Sequence, residues 1–253
     1  MKVLVTGATA GFGAAIVRRF AADGHRIVAA GRRSDRLEAL ANEFGPVRVH
    51  PIVLDVRDRN AVEAAIKGLP LEFRELDLLV NNAGLAVGLD PAQNADLEAW
   101  DAMVDTNIKG LMYVTRAVLP GMVARNRGLI INLGSTAAIY PYPGGNVYGA
   151  TKAFVRQFSL NLRADLLGTK IRVTDVEPGL VGGTEFSTVR FRGDAAKAAK
   201  LYEGADALTP EDIAETVHWI ATLPPRVNVN AIELMPVTQA FGPLAVHRGG
   251  GPA

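Results

Sequence analysis

The sequence predicts an α/β fold, a single-domain, doubly wound parallel sheet of about seven strands with helices on both faces. Three observations carry the prediction. Short runs rich in Val, Ile and Leu alternate with longer segments of helical periodicity, as successive βαβ units do. A glycine-rich turn, Thr6-Gly7-Ala8-Thr9-Ala10-Gly11-Phe12-Gly13, falls between the first run and the first helical segment. Across 253 residues neither an internal repeat nor an interdomain linker interrupts the pattern, and the length suffices for one large core.

The strands are expected at Val3–Val5, Arg26–Ala30, Val47–Leu54, Asp77–Val80, Gly128–Leu133, Ile171–Val176 and Ala231–Leu234. Between the first two, residues 12–23 read as a helix stopped by Gly24. Residues 34–44 read as a second, with Ser34 as N-cap and Gly45 just past its end. Asp58 can cap a third that runs through Leu69 to Pro70. Asp96 can cap a long fourth carrying Trp100, Met103, Val104 and Leu111. Residues 145–167 form a fifth that holds Tyr148 and Lys152 near its start. Thr209-Pro210-Glu211 opens the last with proline at its first position. Residues 179–208 break the alternation with Gly182-Gly183 and mixed charge. They are expected to form a substrate lid or a surface insertion. The dinucleotide-binding half would span about 1–100, the catalytic and substrate half 101–248, and a flexible tail 249–253.

Composition narrows the function classes. Hydrophobic residues make up 49% and charged ones 21%, as in ordinary globular chains, and the formal net charge is +1. No basic stripe invites nucleic acid and no polybasic patch invites a membrane. The apolar start is too short for a signal-peptide core, and no run approaches the ~18 apolar residues that a spanning helix needs. The absence of cysteine excludes disulfides, thiolate metal sites and cysteine nucleophiles, and fits a reducing, cytoplasmic setting. His25, His50, His218 and His247 lie far apart in sequence without metal-ligand spacing. They are expected on the surface or in packing, with no metal.

The turn at Gly7, Thr9, Ala10, Gly11, Phe12 and Gly13 stands where a Rossmann-type fold brings backbone close to a pyrophosphate. At the end of the second strand, where an NAD site carries Asp or Glu, stand Gly31-Arg32-Arg33. Two guanidiniums suit a 2′-phosphate, so the expected cofactor is NADP(H). A solvated arginine pair is the alternative. Tyr148 and Lys152, four residues apart, share one helix face. An unperturbed tyrosine titrates near ~10, so a cation beside it is needed to make a phenolate available at neutral pH.

Thr6-Gly7-x-x-x-Gly11-x-Gly13, Asn81-Asn82-Ala83-Gly84, Asn107, Ser135 and Tyr148-x-x-x-Lys152, in this order, resemble the short-chain dehydrogenase/reductase family over nearly the whole chain. Residues 144–154, 177–186 and 235–239, with Val246-His247-Arg248, resemble its NADP-dependent 3-hydroxy acid dehydrogenases. That group includes L-allo-threonine and serine dehydrogenases and 3-hydroxypropionate (malonic semialdehyde) reductases. The resemblance implies Tyr148 as general acid/base, Lys152 lowering its pKa and holding the nicotinamide ribose, and Ser135 holding the substrate oxygen. Asn107 would anchor a water linking Lys152 to solvent. It further implies cofactor contacts from Leu54, Asp55, Asn82, Ala83, Gly84, Pro178, Gly179, Val181, Thr184 and Phe186. Phe154, Phe158 and Leu162 lie on a helix that resembles one joining subunits into a homotetramer.

A 3-hydroxy acid brings a carboxylate that Arg190 or Arg192 could meet. Three functions follow as alternatives. The first is an NADP-dependent dehydrogenase of small 3-hydroxy acids or 3-hydroxy amino acids. The second is a carbonyl reductase for ketones without a carboxylate, and the third an NADP(H)-sensing binding protein without turnover.

Overall fold

The computed structural model describes residues 1–241. The tail at 249–253, with Val246-His247-Arg248, lies outside them. The elements follow as β1 Lys2–Thr6, α1 Gly11–Ala22, β2 Arg26–Gly31, α2 Ser34–Phe44, β3 Val49–Val53, α3 Arg59–Lys67, α4 Leu71–Arg74 and β4 Leu78–Asn81. Then come α5 Leu97–Val104, a π turn over Asp105–Gly110, α6 Leu111–Arg125, β5 Gly128–Leu133 and α7 Asn146–Asp165. The chain continues through β6 Ile171–Pro178, α8 Phe186–Arg190, α9 Ala195–Lys200, α10 Pro210–Thr222 and β7 Ala231–Leu234.

All seven strands pair in parallel in the order β3-β2-β1-β4-β5-β6-β7. Side chains alternate across the pleat, so each strand feeds two cores. Val3, Val5, Ile27, Ala29 and Val80 pack with Ile16, Phe20, Leu37 and Val217 on the face covered by α1, α2 and α10. Leu4, Val28, Leu79, Ile130 and Val173 pack with Val62, Val114, Val118 and Leu162 on the face of α3, α6 and α7. Burial on both faces explains why the strand runs are apolar without alternation. The strand order reverses at β1 and β4. A crevice opens there beyond their C-terminal ends, between the turn after β1 and the Asn82-Ala83-Gly84 segment.

Several boundaries shift for local reasons. The strand expected from Val47 begins at Val49, because Val47 is 66% exposed in the turn before it. β3 is the sheet's edge, where its Pro51 removes no ladder bond from a neighbour beyond it. Ser34 is the first residue of α2 rather than its N-cap: Arg33 occupies that position, and no side chain caps the helix. Asp58 and Asp96 do cap, accepting from Ala61 N and Glu98 N at 3.0 Å each. Thr209 forms a reciprocal capping box with Asp212, followed by Pro210. The long fourth helix is continuous from Leu97 to Arg125 but contains the π turn. Within residues 179–208 lie two short helices, α8 and α9. No helix among the described residues is long and apolar enough to cross a membrane.

Candidate active site

Thr6 fastens the crevice. Its hydroxyl accepts from Asn82 N and Ala83 N at 3.0 Å each, and Asn82 Nδ2 donates back to Thr6 O at 2.8 Å. Gly7 sits at φ +65°, and a Cβ there would stand 2.9 Å from Asn82 Nδ2 and 3.0 Å from Ala83 Cα. Only glycine serves, on both counts. Gly13 lies one layer deeper, where a side chain would collide with the Gly7 carbonyl and Asn82. α1 can therefore approach β1 closely, with its N-terminal amides facing the crevice.

A cavity of about 330 Å³ extends from this turn to Tyr148. Of the residues expected at a cofactor, it is lined by Gly7, Thr9, Ala10, Gly11, Phe12, Arg32, Arg33, Leu54, Asp55, Asn82, Ala83, Gly84, Tyr148, Lys152, Thr184 and Phe186. Gly13, Pro178, Gly179 and Val181 are set back from its walls. Gly179 packs against Gln239, whose Oε1 accepts from Leu180 N at 2.7 Å, and Val181 bridges to Leu208. Val56, Thr106, Glu185 and Val189 also line the cavity, and sequence reasoning missed them. Only Glu185 carried a signal, as the sole carboxylate beside Thr184 in a run already singled out. The glycine cradle at one end and the two arginines past β2 fit a dinucleotide with a phosphorylated ribose.

Arg33 donates from Nε and Nη2 to Thr9 Oγ1 at 3.1 and 3.0 Å, and from Nη1 to Glu185 Oε2 at 2.7 Å. Arg36 reaches the other oxygen of Glu185 at 2.8 Å. Asp55 is held by Arg57 at 2.6 Å, which keeps its carboxyl below the usual range.

At the far end, Tyr148 and Lys152 rise from the start of α7, both buried. Burial pushes the Tyr148 phenol up, while a hydrogen bond with Ser135 and the charge of Arg190 pull it down. In the free protein the net direction is upward. Lys152 Nζ stands 5.9 Å from the Tyr148 ring centroid and donates to Leu133 O at 2.7 Å. Burial pulls the Lys152 ammonium itself down to about 8.

Ser135 follows β5 and caps a short 3₁₀ turn, accepting from Ala137 N at 3.1 Å. Asn107 lies in the π turn, buried, with both amide hydrogens and one lone pair of its Oδ1 engaged. It accepts from Leu85 N at 2.9 Å and donates to Leu85 O at 2.9 Å and Thr151 Oγ1 at 3.0 Å. Its amide thus ties the segment after β4 to the turn of α7 that carries Lys152.

The two lid arginines part. Arg190 enters the site, its guanidinium carbon 5.0 Å from the Tyr148 centroid and 4.9 Å from that of Phe186. It donates to Tyr142 Oη at 3.0 Å, and its Nε is buried without a partner. Arg192 turns away to pair with Asp96 at 2.7 Å.

The fold also joins two of the scattered histidines. His25 and His218 meet Asp23 with their ligand atoms within 4.8 Å of one another. Arg19 fills that group, bonding Asp23 at 2.8 Å and His218 Nδ1 at 3.2 Å, while His218 Nε2 meets Asp23 at 2.7 Å. The guanidinium bonded to two of these three groups opposes a cation there.

Known proteins are similar to this chain. The chain is 62% identical over 248 residues to the NADP-dependent 3-hydroxy acid dehydrogenase of Escherichia coli strain K12, spanning 98% of this chain and 100% of the relative. It is 50% identical over 246 residues to the serine 3-dehydrogenase of Rhizobium radiobacter, spanning 97% and 98%. A solved structure described as the closed form of serine dehydrogenase complexed with NADP⁺ superposes with a TM-score of 0.97 at 62% identity, covering 98% of this chain and 100% of that one. Residues 1–194 match the family described as short chain dehydrogenase. With the glycine cradle, Ser135, Tyr148 and Lys152 gathered along one crevice, the chain belongs to the short-chain dehydrogenase family.

Proposed function

We propose that the protein transfers a hydride between NADP(H) and a short 3-hydroxy acid or 3-hydroxy amino acid of the L-allo-threonine, serine or 3-hydroxypropionate type. Arg190 carries the substrate part of this reading: a half-satisfied guanidinium stacked beside the Tyr148 ring is a seat for a carboxylate. The names of the relatives support the same class.

When bound, the nicotinamide accepts or supplies the hydride. In the oxidising direction Tyr148 takes the hydroxyl proton as the hydride leaves the carbon, and in reduction it returns that proton to the carbonyl oxygen. Ser135 holds the reacting oxygen beside the phenol. The upward push on Tyr148 in the free enzyme means that added positive charge is needed before it acts as a base. Arg190, 5.0 Å from the ring centroid, supplies part of that charge, and the positive ring of an oxidised nicotinamide, with Lys152, would supply the rest. Arg32 and Arg33 bind the 2′-phosphate, and Asn107 keeps the Lys152 turn in register with Leu85. The exposed Leu160 and the stacked Phe154 and Phe158, centroids 5.6 Å apart, support α7 as a subunit contact in a homotetramer. The cysteine-free composition supports a cytoplasmic site of action.

The test is the initial rate of NADPH formation with L-allo-threonine, L-serine, 3-hydroxypropionate and a carboxylate-free alcohol, using wild type, Tyr148→Phe and Arg190→Met. Tyr148→Phe is expected to lose at least ~10²-fold in kcat. Arg190→Met is expected to raise KM for the acids and leave that for the neutral alcohol. Turnover of the neutral alcohol alone would make the protein a general carbonyl reductase, and cofactor binding without turnover would make it a sensor.

A further inference from the structure

The cofactor cavity shares a wall with a second cavity of about 670 Å³. The second lies between α1, α2 and residues 179–208, and Ala14, Ala39, Ala195 and Ala199 are among its small lining residues. Glu185 stands in the shared wall. Its carboxylate receives one bond from Arg33 and one from Arg36, so the outward donor of Arg33 is committed to an internal anion. The remaining contacts of Arg33 go to Thr9, at the glycine-rich turn. A ribose 2′-phosphate reaching the end of β2 meets an arginine that already holds a carboxylate. The two anions need the same planar fork, and they repel one another.

We propose that Glu185 is an internal competitor for the 2′-phosphate, a residue that sets cofactor specificity by occupying Arg33 in the free enzyme and yielding it to the phosphate while keeping Arg36. This deepens the NADP(H) reading and rests on it. The arrangement couples the two ends of the site, because Glu185 directly precedes α8. That helix carries Phe186, whose ring centroid is 5.7 Å from that of Tyr148, and Arg190. A cofactor without the phosphate leaves α8 tied by two arginines; one with it leaves a single tie. The alanine-lined cavity gives the segment room to shift. Glu185 is held below the usual carboxylate range by Arg33 first and Arg36 second, so it is ionised when the phosphate arrives.

Calorimetric titration of the full chain with 2′,5′-ADP and with 5′-AMP tests this, on wild type, Glu185→Gln, Arg36→Gln and the double variant. Glu185→Gln is expected to bind 2′,5′-ADP about two- to fivefold more tightly, the range of a half-exposed ion pair, and 5′-AMP unchanged. Arg36→Gln, which leaves Glu185 to Arg33 alone, is expected to weaken 2′,5′-ADP by a similar factor. The double variant is expected to lose that weakening, and the differences are expected to shrink at about 0.5 M salt. Unchanged or weaker binding of 2′,5′-ADP by Glu185→Gln overturns the proposal, as does a double variant as weak as Arg36→Gln. If wild type does not prefer 2′,5′-ADP to 5′-AMP, the NADP(H) reading itself falls, and the inference with it.

Discussion

At the scale of single residues, the least expected group is Asp175. It sits on β6 near Lys152, 1% exposed, with neither carboxylate oxygen within hydrogen-bonding geometry of a partner. Burial and the neighbouring Glu177 carboxylate push its pKa well above the ordinary 3.8, with Lys152 pulling the other way. Arg156 holds Glu177 at 2.8 Å from α7, so Lys152 and Arg156 are the cations facing the acid pair. A carboxyl with a raised folded-state pKa keeps a proton that the unfolded chain has released. Its contribution to stability is therefore full at low pH and is lost as pH rises from 3.8 through the folded value. Asp175→Asn, neutral throughout, is expected to gain in melting temperature relative to wild type between about pH 5 and pH 8. Parallel melting curves across that range would refute the assignment. None of this was legible in the sequence, where Asp175 reads as one polar residue in an apolar run. That Tyr148, Lys152 and Ser135 would stand together was legible, because a helix face and a strand end place them. Arg33's bond to Glu185 joins residues 152 positions apart and was not.

At the scale of elements, boundaries follow caps. Asp58 accepts from Ala61 N and starts α3, so Asp58→Ala is expected to cost about 1 kcal/mol in chemical denaturation. A change within error would mean that packing of Val62 alone sets the helix start. The caps at Asp58, Asp96 and Thr209 were readable because a short acceptor side chain precedes each helix. Ser34 has the same chemistry and fails, because the chain leaves β2 directly into α2 and puts Arg33 in the capping position. The segment at 179–208 was recognisable as an excursion, but its two helices were not. α8 and α9 are only five and six residues long, too short for periodicity to register.

At the scale of the whole molecule, a parallel sheet of about seven strands with helices on both faces was legible from the alternation, because right-handed crossovers leave few other arrangements; the order in which the strands lie was not. The role of the outer face of α7 was not legible either, since a stripe of Phe154, Phe158 and Leu162 reads equally as core, and only the family resemblance pointed to a subunit contact. If the proposed homotetramer forms through α7, Phe154→Glu is expected to convert it into smaller species in sedimentation velocity at micromolar concentration. An unchanged sedimentation coefficient would assign the stacked phenylalanines to the surface of a protomer.

The π turn at 105–110 acts as a phase change along a screw. A straight α-helix advances ~100° per residue, so one surplus residue, absorbed without breaking the rod, rotates everything beyond it by roughly that angle. Before the turn, Met103 points to the pocket beside Ala86 and Tyr148; after it, Val114, Val118 and Met122 point to the sheet. One continuous helix thereby serves two clients that face different ways, with Asn107 at the joint. Deleting a single residue there would restore the regular thread and leave one of the two unserved.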